Sequence, residues 1–251
     1  MSSFCKIYCA GSVKAPYEWI TSVPVGINRI IYINGGDGGY EFNGIKTPFK
    51  KDCLYIIPSA THYINTYTSY QTDNSRLDHS YVNFELIPPL TTKQVLCLDD
   101  FDDQEIKSAV ETFKTFCKQC SAKGDYIDLS KSSQEFLKST VLYLVEVVAE
   151  KYHCEFITDK VIIEALKQMH EKIGQKFSIS DLAKTFFLSA DGFIRRFKRI
   201  LGETPYSYMK NLKIRTAQNM RQTGANLQEI AEKCGYADAS SLLHAITPKT
   251  K

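Results

Sequence analysis

The rhythm of apolar positions changes along this chain, and each change marks a predicted change of architecture. Up to about residue 96 the apolar residues come in short runs rich in Ile, Val, Tyr and Phe: Arg29 to Asn34 (RIIYIN), Gly39 to Asn43, Asp52 to Ile57 (DCLYII) and Ser80 to Leu86 (SYVNFEL). Turn clusters at Gly35 to Gly39 and at Asn43-Gly44 separate them, a punctuation that predicts short strands in a small barrel or sandwich. From Asp99 to about Lys151 the spacing becomes helical, first through Ile106, Val110, Phe113 and Phe116, then through Phe136, Leu137, Thr140, Val141, Leu144, Val145 and Val148. The second of these helices is apolar over a broad face, which either pairs two subunits or is covered within the monomer. Cys154 to Asp159 reads as a short linker. Beyond it the helices are short and strongly amphipathic.

The last part of the chain carries the clearest pattern. Ser178 followed by Asp181 reads as a capping box, with Leu182, Ala183 and Phe186 forming one apolar stripe. Ser189 caps a second helix in which Phe193 and Phe197 face inward while Arg195, Arg196, Lys198 and Arg199 crowd the remaining surface. Four cations on one short helix repel each other unless an anion meets them. A looser copy follows: Asn226 and Glu229 repeat the box, Ile230 and Ala231 replace Leu182 and Ala183, Leu242 and Ile246 replace the two phenylalanines, and Gly235 gives the turn its freedom. Between the copies, Gly202 ends one helix and Thr204-Pro205 starts another, PYSYMKNLKIRTAQNMRQ, predicted to be a rigid bar between the units.

These residues resemble the AraC/XylS-type transcriptional regulators, whose DNA-binding domain holds two helix-turn-helix units joined by a long helix. The matching segments are Leu182-Ala183, SADGFIRRFKRILGETPYSY from Ser189 to Tyr208, and IAEKCGYADASSL from Ile230 to Leu242. The resemblance implies that the second helix of each unit enters the major groove of double-stranded DNA. Carried over, the groove-facing positions are Asp191, Ile194 and Arg195, with Lys198 and Arg199 near phosphates, and Ala239 and His244 in the second unit. Arg195 has the planar fork that reads guanine bidentately. Arg196 stands where the family has an apolar residue, so it is expected to snorkel or to touch a phosphate. The family continues past the second unit with an aromatic residue, basic residues and a further short helix, whereas here Pro248 follows Ile246 and the sequence ends at Lys251. The second unit is therefore expected to be truncated.

Charge supports this division. From Lys160 onward there are 16 Lys and Arg against 8 Asp and Glu, a balance of +8, while the rest of the chain holds 15 against 20, a balance of −5. No apolar run reaches the roughly 20 residues of a membrane span, and the start MSSFCKIYCAG has no basic n-region before an apolar stretch, so the expectation is a cytoplasmic protein. The 8 scattered Cys suit reduced thiols, and Cys117 and Cys120 lack a second pair at zinc spacing.

The segment from Gly38 to Tyr63 resembles the strand, hairpin and Ile-Pro corner of a cupin-type sensor domain. A metal-dependent cupin enzyme needs a His cluster with a carboxylate, and only His62 and His79 are on offer, so no cofactor and no enzymatic activity are expected. Arg29, Tyr40, Tyr55 and His62 are candidates for a pocket that takes a sugar-like or other small organic molecule. The fold class expected is thus α+β multidomain: a cupin-like barrel over 1–96, a helical linker or dimerisation region over 97–155, and an all-α double helix-turn-helix domain over 159–251. The function expected is a ligand-responsive regulator acting as a homodimer on DNA, with RNA polymerase as a further partner. Alternatives are a cupin-type metal enzyme with a helical appendage, and a regulator whose barrel only dimerises or binds a protein.

Overall fold

The strand runs read from the sequence form, and they pair with strands that the pattern did not announce. A computed structural model of the chain describes residues 4–15, 20–22, 27–42, 44–59, 65–68, 76–99, 101–123, 128–222 and 225–246. It divides into two compact units, Met1–Phe156 and Ile157–Lys251.

In the first unit, β1 (Phe4–Lys14), β8 (Asp78–Ile87), β3 (Asn28–Gly35), β6 (Leu54–Ile57) and β9 (Leu96–Leu98) make one sheet in that order. The second sheet has the order β2 (Ile20–Ser22), β7 (Asn65–Thr68), β4 (Gly38–Phe42) and β5 (Ile45–Pro48). All these pairs are antiparallel, and Phe42 opposite Ile45 ends the ladder between β4 and β5. Among the described residues the strands stay in two sheets and do not close into a ring, so the expected cupin-like barrel is realised as a two-sheet arrangement.

Alternation along β3 sorts its side chains. Ile30 and Tyr32 join a core shared with α1 (Gln104–Lys123) and α2 (Lys131–Lys151), while Ile31 and Ile33 face Tyr40 of the second sheet. With both faces covered, the strand reads as a continuous apolar run. The two helices are packed on the first sheet as part of its core: Val110, Phe113, Cys117, Cys120, Leu137, Val141, Leu144 and Val148 are at most 3% exposed. At about 1.5–3 kcal/mol per large apolar side chain removed from water, this is the largest single stabilising group in the unit. The broad apolar face of α2 is thus mostly buried against the sheet and α1, leaving Phe136 exposed.

The segment expected to be a bare linker is tied back. Thr91 N donates to Glu155 O at 2.9 Å, and Leu90 bridges Phe156 in antiparallel fashion, so the first unit closes on Phe156. All 8 cysteines are free thiols. Among the described residues no helix is long and apolar enough to cross a membrane.

The second unit is all helical: α3 (Lys160–Glu171), α4 (Ile179–Thr185), α5 (Ala190–Leu201), α6 (Pro205–Gln222), α7 (Leu227–Cys234) and α8 (Ala239–Ile246).

Candidate nucleic-acid interface

The first helix-turn-helix unit is built on a column of rings. Phe193 and Phe197, one turn apart on α5, are fully buried. Phe186 stacks on Phe193 with centroids 6.1 Å apart, Phe193 meets Phe197 at 5.7 Å, and Phe197 meets Tyr208 of α6 at 5.8 Å. The column fixes which way α5 faces. Ser178 and Ser189 cap α4 and α5, accepting from the amides of Asp181 and Gly192. The full capping box forms only in the second unit, where the Glu229 carboxylate returns to the Asn226 amide. Asp181 is one methylene shorter, and its carboxylate takes Lys184 instead.

With Phe193 and Phe197 inward, the opposite face of α5 carries Asp191, Arg195, Lys198 and Arg199, all exposed, with Ile194 half-buried beside them. The side chains of Arg195, Lys198 and Arg199 enter no ion pair among the described residues. Acid in the first turn and base in the last also suit the helix dipole.

Arg196 is committed elsewhere. Its Nε and one terminal nitrogen hold the two oxygens of Asp159 at 2.8 and 3.0 Å, a bidentate pair of two side chains that are 35% and 16% exposed. Asp159 also caps α3 through the amides of Val161 and Ile162. Partial burial pushes its carboxyl up, but the Arg196 bonds and the amides outweigh that, and the net shift is downward. The cation expected at a phosphate is instead a brace between α3 and α5.

The second unit buries Ile230, Cys234 and Leu242 completely, with Ile246 at 9%. Asp238 caps α8 by accepting from Ser241 N at 2.7 Å. Of its candidate residues, His244 is exposed and Ala239 half-buried; Pro248 lies outside the described residues. The exposed positions of α8 are Ser240, Ser241 and His244, so the cationic face of α5 has no counterpart there.

The two turns share a position that the sequence reading missed in one copy. Gly235 has φ +68° and Phe187, 48 residues earlier, has φ +57°. The 48-residue offset of the repeat would have exposed the mismatch. At Gly235 the turn is crowded, since an added Cβ would lie 2.8 Å from Gly174 O in the loop between α3 and α4, and one at Gly174 would lie 2.7 Å from Lys233 O. This backbone contact links the two helix-turn-helix units in addition to α6. Phe187 by contrast is 98% exposed. A left-handed conformation costs an L-residue about 1–2 kcal/mol, against about 0.5–1 kcal/mol for the greater chain entropy lost by glycine. Phe187→Gly is therefore expected to stabilise the unit by about 0.5–1 kcal/mol, seen as a higher urea midpoint. An unchanged or lower midpoint would contradict it.

Of the pocket candidates of the first unit, Arg29 and Tyr55 lie on the face of the first sheet that meets the second, and Tyr40 lies on the second sheet. Tyr55 is buried, its hydroxyl accepts from Lys50 N at 2.8 Å, and its ring packs on Phe49 at 4.9 Å and Tyr40 at 6.3 Å. Arg29, at 7% exposure, donates from Nε to Asn83 Oδ1 at 2.7 Å and lies over the Tyr81 ring at 6.0 Å. His79, also buried, has its pKa pushed down to about 4 by burial and then by the charge of Arg29. Arg29 is thus grouped with His79, Tyr81 and Asn83, while Tyr40 and Tyr55 form a separate ring cluster; His62 lies outside the described residues.

Residues 182–250 match a family model described as a helix-turn-helix domain. An AraC-like transcription regulator of Streptomyces lividans, described as putative, is 31% identical over 87 residues, 34% of this chain and 29% of the relative, so the chain spans less than a third of that protein. The HTH-type transcriptional activator RhaR of Mannheimia succiniciproducens is 22% identical over 223 residues, 85% of this chain and 78% of the relative. Among solved structures, ToxT of Vibrio cholerae shares the fold: the ligand-free form covers 98% of this chain and 93% of its own with a TM-score of 0.62 at 15% identity. ToxT bound to an unsaturated fatty acid gives a TM-score of 0.63 at 13% identity, over 98% and 91%. The paired motif and the matching family model thus give the chain a helix-turn-helix domain over residues 182–250, and its fold is shared with ToxT.

Proposed function

We propose that the protein is a cytoplasmic regulator of transcription that binds DNA in a sequence-specific manner through its C-terminal unit and answers to a small molecule taken up by its N-terminal unit. The observation that supports this reading most is the face of α5: Arg195, Lys198 and Arg199 are exposed, unpaired among the described residues and held in one direction by the buried ring column. A helix so prepared meets phosphates with Lys198 and Arg199 and base edges with Arg195, Asp191 and Ile194. In the second unit Ala239 and His244 take the corresponding positions and add contacts without added charge. A homodimer, and contact with RNA polymerase, belong to the same reading; Phe136, 57% exposed beside Phe116, is the apolar position on which a second subunit would settle.

The test is binding of the full chain to its own upstream DNA and to random duplex across a salt series. Tight binding to the upstream DNA alone supports the reading, and equal weak binding to both overturns it. Within that assay Arg195→Ala is expected to cost about 1–3 kcal/mol on the specific duplex and to relax specificity there. An equal loss on every duplex, shrinking at high salt, would instead make Arg195 a phosphate contact.

A further inference from the structure

We propose that a cavity inside the C-terminal unit takes a small anion with an aromatic body, at a site separate from the effector uptake read for the N-terminal unit. The cavity holds about 620 Å³, within the usual range for small-molecule sites. It opens where the two helix-turn-helix units meet, between the loop from Gly174 to Phe177, the N-terminal half of α6 and the turn at Gly235 and Tyr236. Gly174 and Gly235, whose backbones nearly touch, form part of its wall.

Charge and walls together select the ligand. Among the described residues the charged side chains lining the cavity are Lys176, Lys210 and Lys213, with no Asp or Glu. Acids gather instead in a neighbouring cavity that shares Gly174 and Gln175 and carries Glu171, Glu229 and Glu232. None of the three lysines enters an ion pair among the described residues. The Lys213 amine donates to the Gly235 carbonyl at a long 3.4 Å and lies 5.7 Å from the centre of the Tyr236 ring. Partial burial pushes that amine down from its ordinary pKa. Like charges around one partly dry space repel each other, and an anion entering it relieves both the repulsion and the unmet charge. Phe177, Met209 and Tyr236 supply apolar wall, and the exposed Tyr206 adds a second ring. An inorganic ion would leave those walls wet, whereas a flat ring bearing a carboxylate or phosphate covers them and reaches the amines.

The test is calorimetric titration of the full chain with 1-naphthoate, against 1-naphthalenemethanol and against inorganic phosphate. It is repeated in Lys213→Met and Lys210→Met, which keep an apolar stem and lose the charge. Naphthoate is expected to bind about tenfold more tightly than either control, and each variant to weaken it about tenfold, as loss of one charge-assisted bond does. Should Lys213→Met fail to fold, Lys210→Met decides, since Lys210 is exposed on α6. Naphthoate binding that the variants leave unchanged puts the acid elsewhere in the chain and overturns the proposal. Equal binding of naphthoate and its alcohol, or of naphthoate and phosphate, also overturns it, as does no naphthoate binding at about 1 mM, the weak end of ligand affinity. A chain that ignores naphthoate while both variants lose affinity equally on every duplex would assign the lysines to DNA phosphates, again against the proposal. Binding of the unaltered chain to its upstream DNA, measured without naphthoate, fails only if the regulator reading fails.

Discussion

Phe193→Ala is expected to destabilise the C-terminal unit by about 3–5 kcal/mol, the cost of emptying a fully buried aromatic position. The ring lies between Phe186 and Phe197, so its removal opens a cavity inside the column and not at its edge. A small domain has about 5–15 kcal/mol of stability in all, so this one change removes a large part of it. Because the same ring sets the rotation of α5 about its axis, specific DNA binding should fall even at temperatures where the unit is still folded. Urea unfolding followed by circular dichroism checks the first part, and a loss below about 1 kcal/mol would show that the column closes over the gap. Arg195→Ala serves as the control, lowering affinity with little change in stability.

Gly235→Ala should cost about 2–4 kcal/mol, from two sources that a companion variant separates. The residue sits at φ +68°, which only glycine adopts freely, and the new Cβ would stand 2.8 Å from Gly174 O and 3.0 Å from Gly174 C, both backbone atoms. Gly174→Ala meets Lys233 O at 2.7 Å from the other side and has no left-handed φ to maintain, so it isolates the steric part. Both variants push apart the contact between the two helix-turn-helix units. A duplex that engages both recognition helices should lose more affinity than one that engages α5 alone. Variants that unfold and bind as the unaltered chain does would show that α6 alone sets the spacing.

Much of the C-terminal unit was legible in the sequence because its signals are local: a cap, an apolar residue every turn, a glycine at the stop. What escaped was long-range or locally contrary. Arg196 was read as a cation that snorkels or touches a phosphate, and its commitment to Asp159, 37 residues away, leaves no trace in spacing. Phe187 gave no turn signal because a residue of the wrong type holds the left-handed position, at a cost that the fold carries. In the N-terminal unit β3, β4, β6 and β8 were readable from their apolar runs. β1 was not: its ladder to β8 shifts register between Ile7 and Cys9, and such a bulge breaks the alternation on which the reading depends. The apolar face of α2 was left between two readings, pairing with a second subunit or cover within the monomer, because a helix pattern shows how much surface is apolar, not what covers it; here a sheet and a second helix cover most of it. For the pocket, Arg29, Tyr40, Tyr55 and His62 were named together as candidates, but the grouping of Arg29 with His79, Tyr81 and Asn83 needed the register.

If α5 and α8 meet DNA as proposed, the difference in charge between them reaches beyond affinity to the order of events on DNA. Fields from exposed cations act over about 8–10 Å at physiological salt, so the face with Arg195, Lys198 and Arg199 is felt by the duplex before contact. The two cations proposed to face phosphates, Lys198 and Arg199, give a slope of about −2 in log affinity against log salt. The surface of α8, with serines and one histidine, acts only once it touches. Added salt will therefore slow arrival, which α5 governs, whereas base changes under α8 will alter how long the protein stays.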